Sequence, residues 1–164
     1  MTTRRTPVIG VMGGGEAPRP IAELAAELGG ALAKEGWIVL NGGRDAGVMA
    51  AVSRGASQAG GVVVGVLPDR DLTRASPHLT IPIRTGLGEG RNIVNILSSD
   101  VVIALPGRAG TLSEIDLALQ NHKPLLLVGW DAPPTSFGGQ ALESLQTVDE
   151  VMSRIGALLP TLDL

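Results

Sequence analysis

Most residues able to do chemistry sit in four glycine-bearing segments: Gly13, Gly14 and Gly15; Gly42, Gly43 and Arg44; Gly88, Arg91 and Asn92; and Pro106, Gly107, Arg108, Gly110, Thr111 and Glu114. Glycine lets a backbone turn sharply or come into contact with a ligand. Where such a turn opens a helix, unpaired first-turn amides and the positive end of the helix dipole suit a phosphate. Arginine adds a planar fork that grips phosphate or carboxylate through two hydrogen bonds. Arg91, with glycines at 86, 88 and 90 before it, reads as the charged clamp of such a site, the alternative being a helix-start arginine paired with Glu89. Arg44 either reaches the same ligand or stands in solvent. Glu114 has two readings. Thr111-x-x-Glu114 has the spacing of a capping box, in which the glutamate only satisfies the start of its helix, and spacing alone favours that. The alternative is a carboxylate facing the ligand.

What is missing narrows the chemistry further. The chain of 164 residues has no cysteine and only two histidines, His78 and His122. A thiolate nucleophile, a disulfide framework and a histidine-based triad or metal site have little to be built from. Asp45, Glu89, Asp100 and Asp116 lie near the loops without metal-ligand spacing, so no protein-ligated metal is expected. Thirteen Lys plus Arg against sixteen Asp plus Glu leave a formal charge of −3, and Trp37, Trp130 and Phe137 are the only aromatics. Neither a positive field nor a stacking platform exists for a nucleic-acid polymer. No segment has the length of a membrane span or a signal-peptide core, and the expected compartment is the cytoplasm. His122, followed by Lys123 and Pro124, reads as a cation at a helix C-terminus, and Met49 as core.

The loops need elements to position them. Apolar, largely β-branched runs at 8–12, 37–40, 62–67, 101–105 and 125–128 read as buried parallel strands, with a weaker one at 81–84. Helical stripes lie between and after them: Ile21, Leu24, Ala25, Leu28 and Leu32; Val48, Met49, Val52 and Ala56; Ile93, Ile96 and Leu97; Leu112, Ile115 and Leu119; Val151, Ile155, Leu158 and Leu159. Gly36 is placed to end the first helix, and Thr147 with Glu150 to cap the last. Stretches 68–80 and 130–139 read as irregular and mobile. Alternating strands and helices predict an α/β chain: a single Rossmann-like three-layer α/β/α domain over 1–164, with a mostly parallel sheet of six or seven strands. Ligands of such folds bind beyond the carboxyl ends of the strands, where the four loops fall.

Taken together, the glycine turn with Gly47-Val48-Met49, Gly90-Arg91-Asn92, and Pro106-Gly107 through Gly110-Thr111 to Glu114 resemble the LONELY GUY superfamily, long misnamed lysine decarboxylases, over about 8–130. The resemblance implies a nucleoside 5′-monophosphate phosphoribohydrolase in which Arg91 and Glu114 are catalytic, and which releases a free base and ribose 5-phosphate. The chain departs from that pattern at Arg108, where a glycine is usual, at Asn41 and Ala50, which replace outer glycines, and at Asn92, which replaces a lysine. Segments 8–13, 36–38, 65–68, 85–88 and 97–99 resemble a smaller branch, the molybdenum cofactor carrier proteins. That likeness implies a binding protein whose carried ligand is molybdenum cofactor, a phosphorylated pterin, and a homodimer or homotetramer. The carrier is the primary expectation and the hydrolase the alternative.

Overall fold

The computed structural model of the chain describes residues 5–135, 139 and 142–164. The apolar runs form strands β1 (Val8–Met12), β2 (Ile38–Asn41), β3 (Val63–Leu67), β4 (Ile81–Arg84), β5 (Val101–Ala104) and β6 (Leu125–Val128). A two-residue strand, β7 (Ser144–Leu145), completes the sheet. It lies beyond the irregular stretch at 130–139 and is too short to show in the sequence pattern. The order is β4-β3-β2-β1-β5-β6-β7 and every pairing is parallel. The chain reverses its direction of travel across the sheet between β1 and β5, so the crevice of the fold opens there, between the loops that follow those two strands.

Alternation along the strands explains the layers. Ile9 and Val11 of β1 and Val101 and Ile103 of β5 share one buried cluster with α1 (Arg19–Lys34), α2 (Gly47–Gln58) and α5 (Val148–Leu158). Met12, Leu40, Val66 and Val102 point the other way, to Ile96 of α3 (Asn92–Ser98) and Ala118 of α4 (Ala109–Gln120). This is the expected α/β/α sandwich, with side chains of successive strand residues on opposite faces.

Helices α1, α2 and α4 each end in a Schellman motif. Gly36 N–H donates to Ala33 O at 2.9 Å and Trp37 N–H to Leu32 O at 3.3 Å, with Gly36 at φ +76°. Gly60 and Gly61 repeat the arrangement after α2. After α4 the left-handed position falls to His122, at φ +53°, while Lys123 N–H donates to Ala118 O at 2.9 Å. His122 therefore serves as the turn residue of the motif. Lys123 supplies the cation, and to another helix: its Nζ donates to the carbonyls of Leu97 and Ser99 at the end of α3. Thr147 and Glu150 form the expected capping box of α5.

Stretch 68–80 is held rather than loose. Ser76 N–H donates to Gly43 O, and Asp45 N–H to Arg74 O, both at 2.8 Å. Of stretch 130–139, residues 136–138 lie outside those described, Phe137 among them. No helix among the described residues is long and apolar enough to cross a membrane.

A non-glycine residue in the left-handed region costs about 1–2 kcal/mol, part of which glycine gives back through its freer unfolded chain. His122→Gly should therefore raise the melting temperature by about 2–4 °C, measured by calorimetry, with the fold unchanged by circular dichroism.

Candidate functional site

A cavity of about 390 Å³ opens at the strand-order reversal, within the range of about 300–1,000 Å³ usual for small-molecule sites. Most of the residues expected from the sequence line it: Gly13, Gly14 and Gly15 after β1; Gly42 and Arg44 after β2; Arg91 and Asn92 at the start of α3; Gly107, Arg108, Gly110, Thr111 and Glu114 after β5. Three expected residues are absent from the lining and shape it instead. Pro106 O accepts from Gly14 N–H at 3.1 Å, Gly43 N–H donates to Asn41 Oδ1 at 2.7 Å, and Gly88 N–H donates to Pro68 O at 3.1 Å. Asn41, buried and also donating to Ser53 Oγ at 2.8 Å, is an internal staple of the glycine loop.

Close backbone approach accounts for glycine at two of these turns. A Cβ on Gly14 would stand 3.3 Å from Gly107 Cα, so the β1 and β5 loops pack backbone to backbone. A Cβ on Gly42 would strike the Arg91 guanidinium and come within 2.7 Å of Met49 Sδ. Met49, half-buried, lines the cavity, contrary to the expectation that it belongs to the core.

Not every helix start serves the cavity. Val48 N–H, at the start of α2, donates to Gly14 O at 2.9 Å, so that helix end satisfies the neighbouring loop. Helix α1 begins at Arg19, outside the lining. The N-terminus of α4 does face it. That helix has no side-chain cap, so the first-turn amides of Ala109, Gly110 and Thr111 lack intrahelical partners, and Gly110 and Thr111 stand at the wall.

Arg91 forms the floor. Only 6% exposed, it donates from Nη1 to the carbonyl oxygens of Gly42 and Val66, both at 2.6 Å. Its buried Nε has no partner among the described residues, and no carboxylate there approaches within ion-pair range. The pairing of Arg91 with Glu89 that a structural role would need is therefore not made. Burial pulls the guanidinium below its ordinary pKa, while the charges of Glu114 and Glu89 work to raise it.

The capping-box reading of Thr111 and Glu114 fails. Helix α4 starts at Ala109 with Arg108 as N-cap, so Thr111 and Glu114 lie inside the helix, and both are buried. Glu114 Oε1 accepts from Asn95 Nδ2 at 3.0 Å. The inward stripes of both helices are shifted from the apolar ones expected. Asn92, Asn95 and Ile96 are buried on α3 while Leu97 is exposed; Thr111, Glu114 and Ile115 are buried on α4 while Leu112 is exposed. The polar half of each stripe belongs to the cavity end of its helix.

Two more arginines stand at the wall, each with a carboxylate. Arg44, partly buried, forms a two-bond fork on Asp69, Nε to Oδ2 at 3.1 Å and Nη2 to Oδ1 at 2.9 Å. Arg108 Nη2 meets Glu16 Oε2 at 2.9 Å across the mouth. Among the described residues no group of three or more histidines and carboxylates could hold a metal ion.

The sequence profile of the SLOG cluster4 family matches residues 6–155. The chain belongs to that family. Its fold superposes on the molybdenum cofactor binding protein of Rippkaea orientalis with a TM-score of 0.87 at 39% identity, covering 96% of this chain and 99% of that one. The Moco carrier protein of Chlamydomonas reinhardtii gives 0.86 at 39% identity, covering 96% and 100%. A cytokinin riboside 5′-monophosphate phosphoribohydrolase of Mycobacterium tuberculosis is 33% identical, over 86% of this chain and 87% of that protein.

In this SLOG protein the residues that sequence reasoning missed are Asn95 and Glu16, together with Met12 at the end of β1, while Glu89, noted beside the loops without a role, lines the cavity. Asn95 carried a signal, being polar in an otherwise apolar stripe. Glu16 and Glu89 carried none beyond lying next to the glycines. Burial pushes the Glu114 carboxyl from 4.5 up to about 7, with Glu89 adding to the rise; the Asn95 hydrogen bond and the Arg91 charge oppose it. Below pH 4.5 the carboxyl is protonated in folded and unfolded chains alike. Between 4.5 and about 7 only the folded chain keeps the proton, so stability falls as pH rises through that window and levels off above it. Glu114→Gln should remove this decline: in urea unfolding at pH 5 and pH 8, the wild-type difference should shrink by up to about 3 kcal/mol.

Proposed function

We propose that this protein carries a phosphorylated heterocycle, namely molybdenum cofactor, with the phosphate seated between the start of α4 and Arg91. The observation carrying this reading is Arg91, a residue of the cavity lining that is buried, fixed by two carbonyls and left with an Nε that has no partner among the described residues. A cation so placed, with no carboxylate in ion-pair range among the described residues, is compensated by an anion entering the cavity. The uncapped amides of Gly110 and Thr111 add neutral donors for the same group. The cavity volume suits one fused-ring ligand with its phosphate. The likeness to the Rippkaea and Chlamydomonas proteins over nearly the whole chain supports the cofactor as cargo. The protein would act in a reducing cytoplasm and as a homodimer or homotetramer, for which the exposed Ile81 and Ile83 of edge strand β4, with Leu87 and Leu97, offer apolar surface. Light scattering of the purified chain measures that assembly directly.

Incubated anaerobically with molybdenum cofactor, the wild type should retain it through gel filtration and slow its oxidation. Arg91→Ala should lose the ligand while eluting at the same volume. Failure of the wild type to retain the cofactor overturns the carrier reading.

A second reading rests on Glu114, a carboxyl poised near neutral pH at the cavity wall beside Asn95 and in the field of Arg91. Such a group can orient water or stabilise an oxocarbenium-like centre on a ribose. Under this reading the chain is a phosphoribohydrolase, as the mycobacterial relative is named. Ribose 5-phosphate should then be released from AMP or an N6-substituted AMP, and Glu114→Gln should abolish it. Unchanged substrate after prolonged incubation rejects the hydrolase.

A further inference from the structure

Three arginines line the cavity, and they differ in how far each is committed. Arg91 has Nη1 bound to two carbonyl oxygens in the protein interior. Arg44 is forked onto Asp69, and less than a third of either side chain is exposed. Arg108 makes a single contact, from Nη2 to Glu16 Oε2 at 2.9 Å, with 86% of its side chain and 81% of that of Glu16 open to solvent. An ion pair so exposed is weak, because water screens it and two long side chains must be ordered to hold it.

The position of Arg108 matters as much as its exposure. It is the N-cap residue of α4, directly before the uncapped amides, and it lines the cavity beside Gly107, Gly110 and Thr111. Its partner Glu16 follows the glycine turn on the opposite lip, and Glu89 adds a second carboxylate, with Oε2 3.7 Å from where a Cβ on Gly110 would lie. The anion seat is therefore bordered by the protein's own carboxylates.

We propose that Arg108 is a specificity-determining clamp recruited by the ligand: it leaves Glu16 for the terminal phosphate monoester of the bound molecule, and Glu16 acts as the internal counter-ion that the phosphate displaces. The proposal rests on the reading of the cavity as a phosphate site and deepens it. A phosphomonoester dianion outcompetes a single carboxylate for the guanidinium through charge and two parallel hydrogen bonds. A nucleoside lacking the phosphate gains nothing from the exchange. Arg108 thus favours monoesters over uncharged analogues.

Calorimetric titration of the full chain with AMP, adenosine and molybdenum cofactor tests this in wild type, Arg108→Gly, Glu16→Gln and the double variant. Both side chains are largely exposed, so the variants should fold. Arg108→Gly should weaken the phosphorylated probes roughly tenfold and flatten the salt dependence of their binding. Glu16→Gln should tighten them several-fold, and only while Arg108 is present. Adenosine should respond to neither change. Phosphorylated probes held by Arg108→Gly within about twofold of wild type, or a Glu16→Gln gain that survives without Arg108, overturn the clamp and leave the phosphate site standing. If neither AMP nor the cofactor binds the wild type, the phosphate site and the clamp fall together.

Discussion

A guanidinium buried with no carboxylate in ion-pair range among the described residues is the constraint around which this site is arranged. Removing a charge from water is costly unless hydrogen bonds and an opposite charge replace the solvent. Arg91 receives two carbonyl oxygens, from the end of β3 and the turn after β2, and the long-range field of Glu114 and Glu89. Each of those contacts makes a demand on its neighbour. Gly42 must lack a Cβ, Asn41 must hold the glycine loop by accepting from Gly43 N–H, and the short turn over Gly88–Arg91 must deliver the side chain inward.

The same constraint explains the polar stripes of α3 and α4. At their far ends both helices pack apolar residues on the sheet, Ile96 on one and Ala118 on the other. At their near ends Asn92, Asn95, Thr111 and Glu114 face inward, and Leu97 and Leu112 are left outside. Glu114 meets the desolvation that Arg91 meets, with opposite sign. Its carboxyl is raised to about 7 even with Asn95 donating to it and Arg91 nearby. Burial that pushes the Glu114 carboxyl up also lessens the negative charge an entering anion meets. Carrier and hydrolase readings therefore draw on the same residues.

Much of this was legible in the chain. The β-branched runs specified the strands, because a strand covered on both faces admits little else, and strand-helix alternation specified a parallel sheet with helices on two sides. The four glycine segments marked the cavity, since turns at strand ends need positive φ or close backbone approach, as at Gly43 and Gly47 or between Gly14 and Gly107. Strand β7 escaped notice because two residues carry no periodicity. Glu114 was ambiguous because a threonine three residues before a glutamate looks the same whether that threonine is the N-cap or the N-cap lies three residues earlier, at Arg108.

Local pattern therefore determined which elements form and which loops carry glycine and charge, because dihedral preference and burial of apolar side chains act over a few residues. Distances between loops remote in sequence were decided by the folded sheet. The strand order set β1 beside β5, brought Glu16 across from Arg108, and placed Asn95 against Glu114. Hydrogen bonds and charge interactions depend steeply on such separations. The burial of Arg91 and the ionisation of Glu114 consequently belong to the assembled fold, and no stretch of sequence read alone contains them.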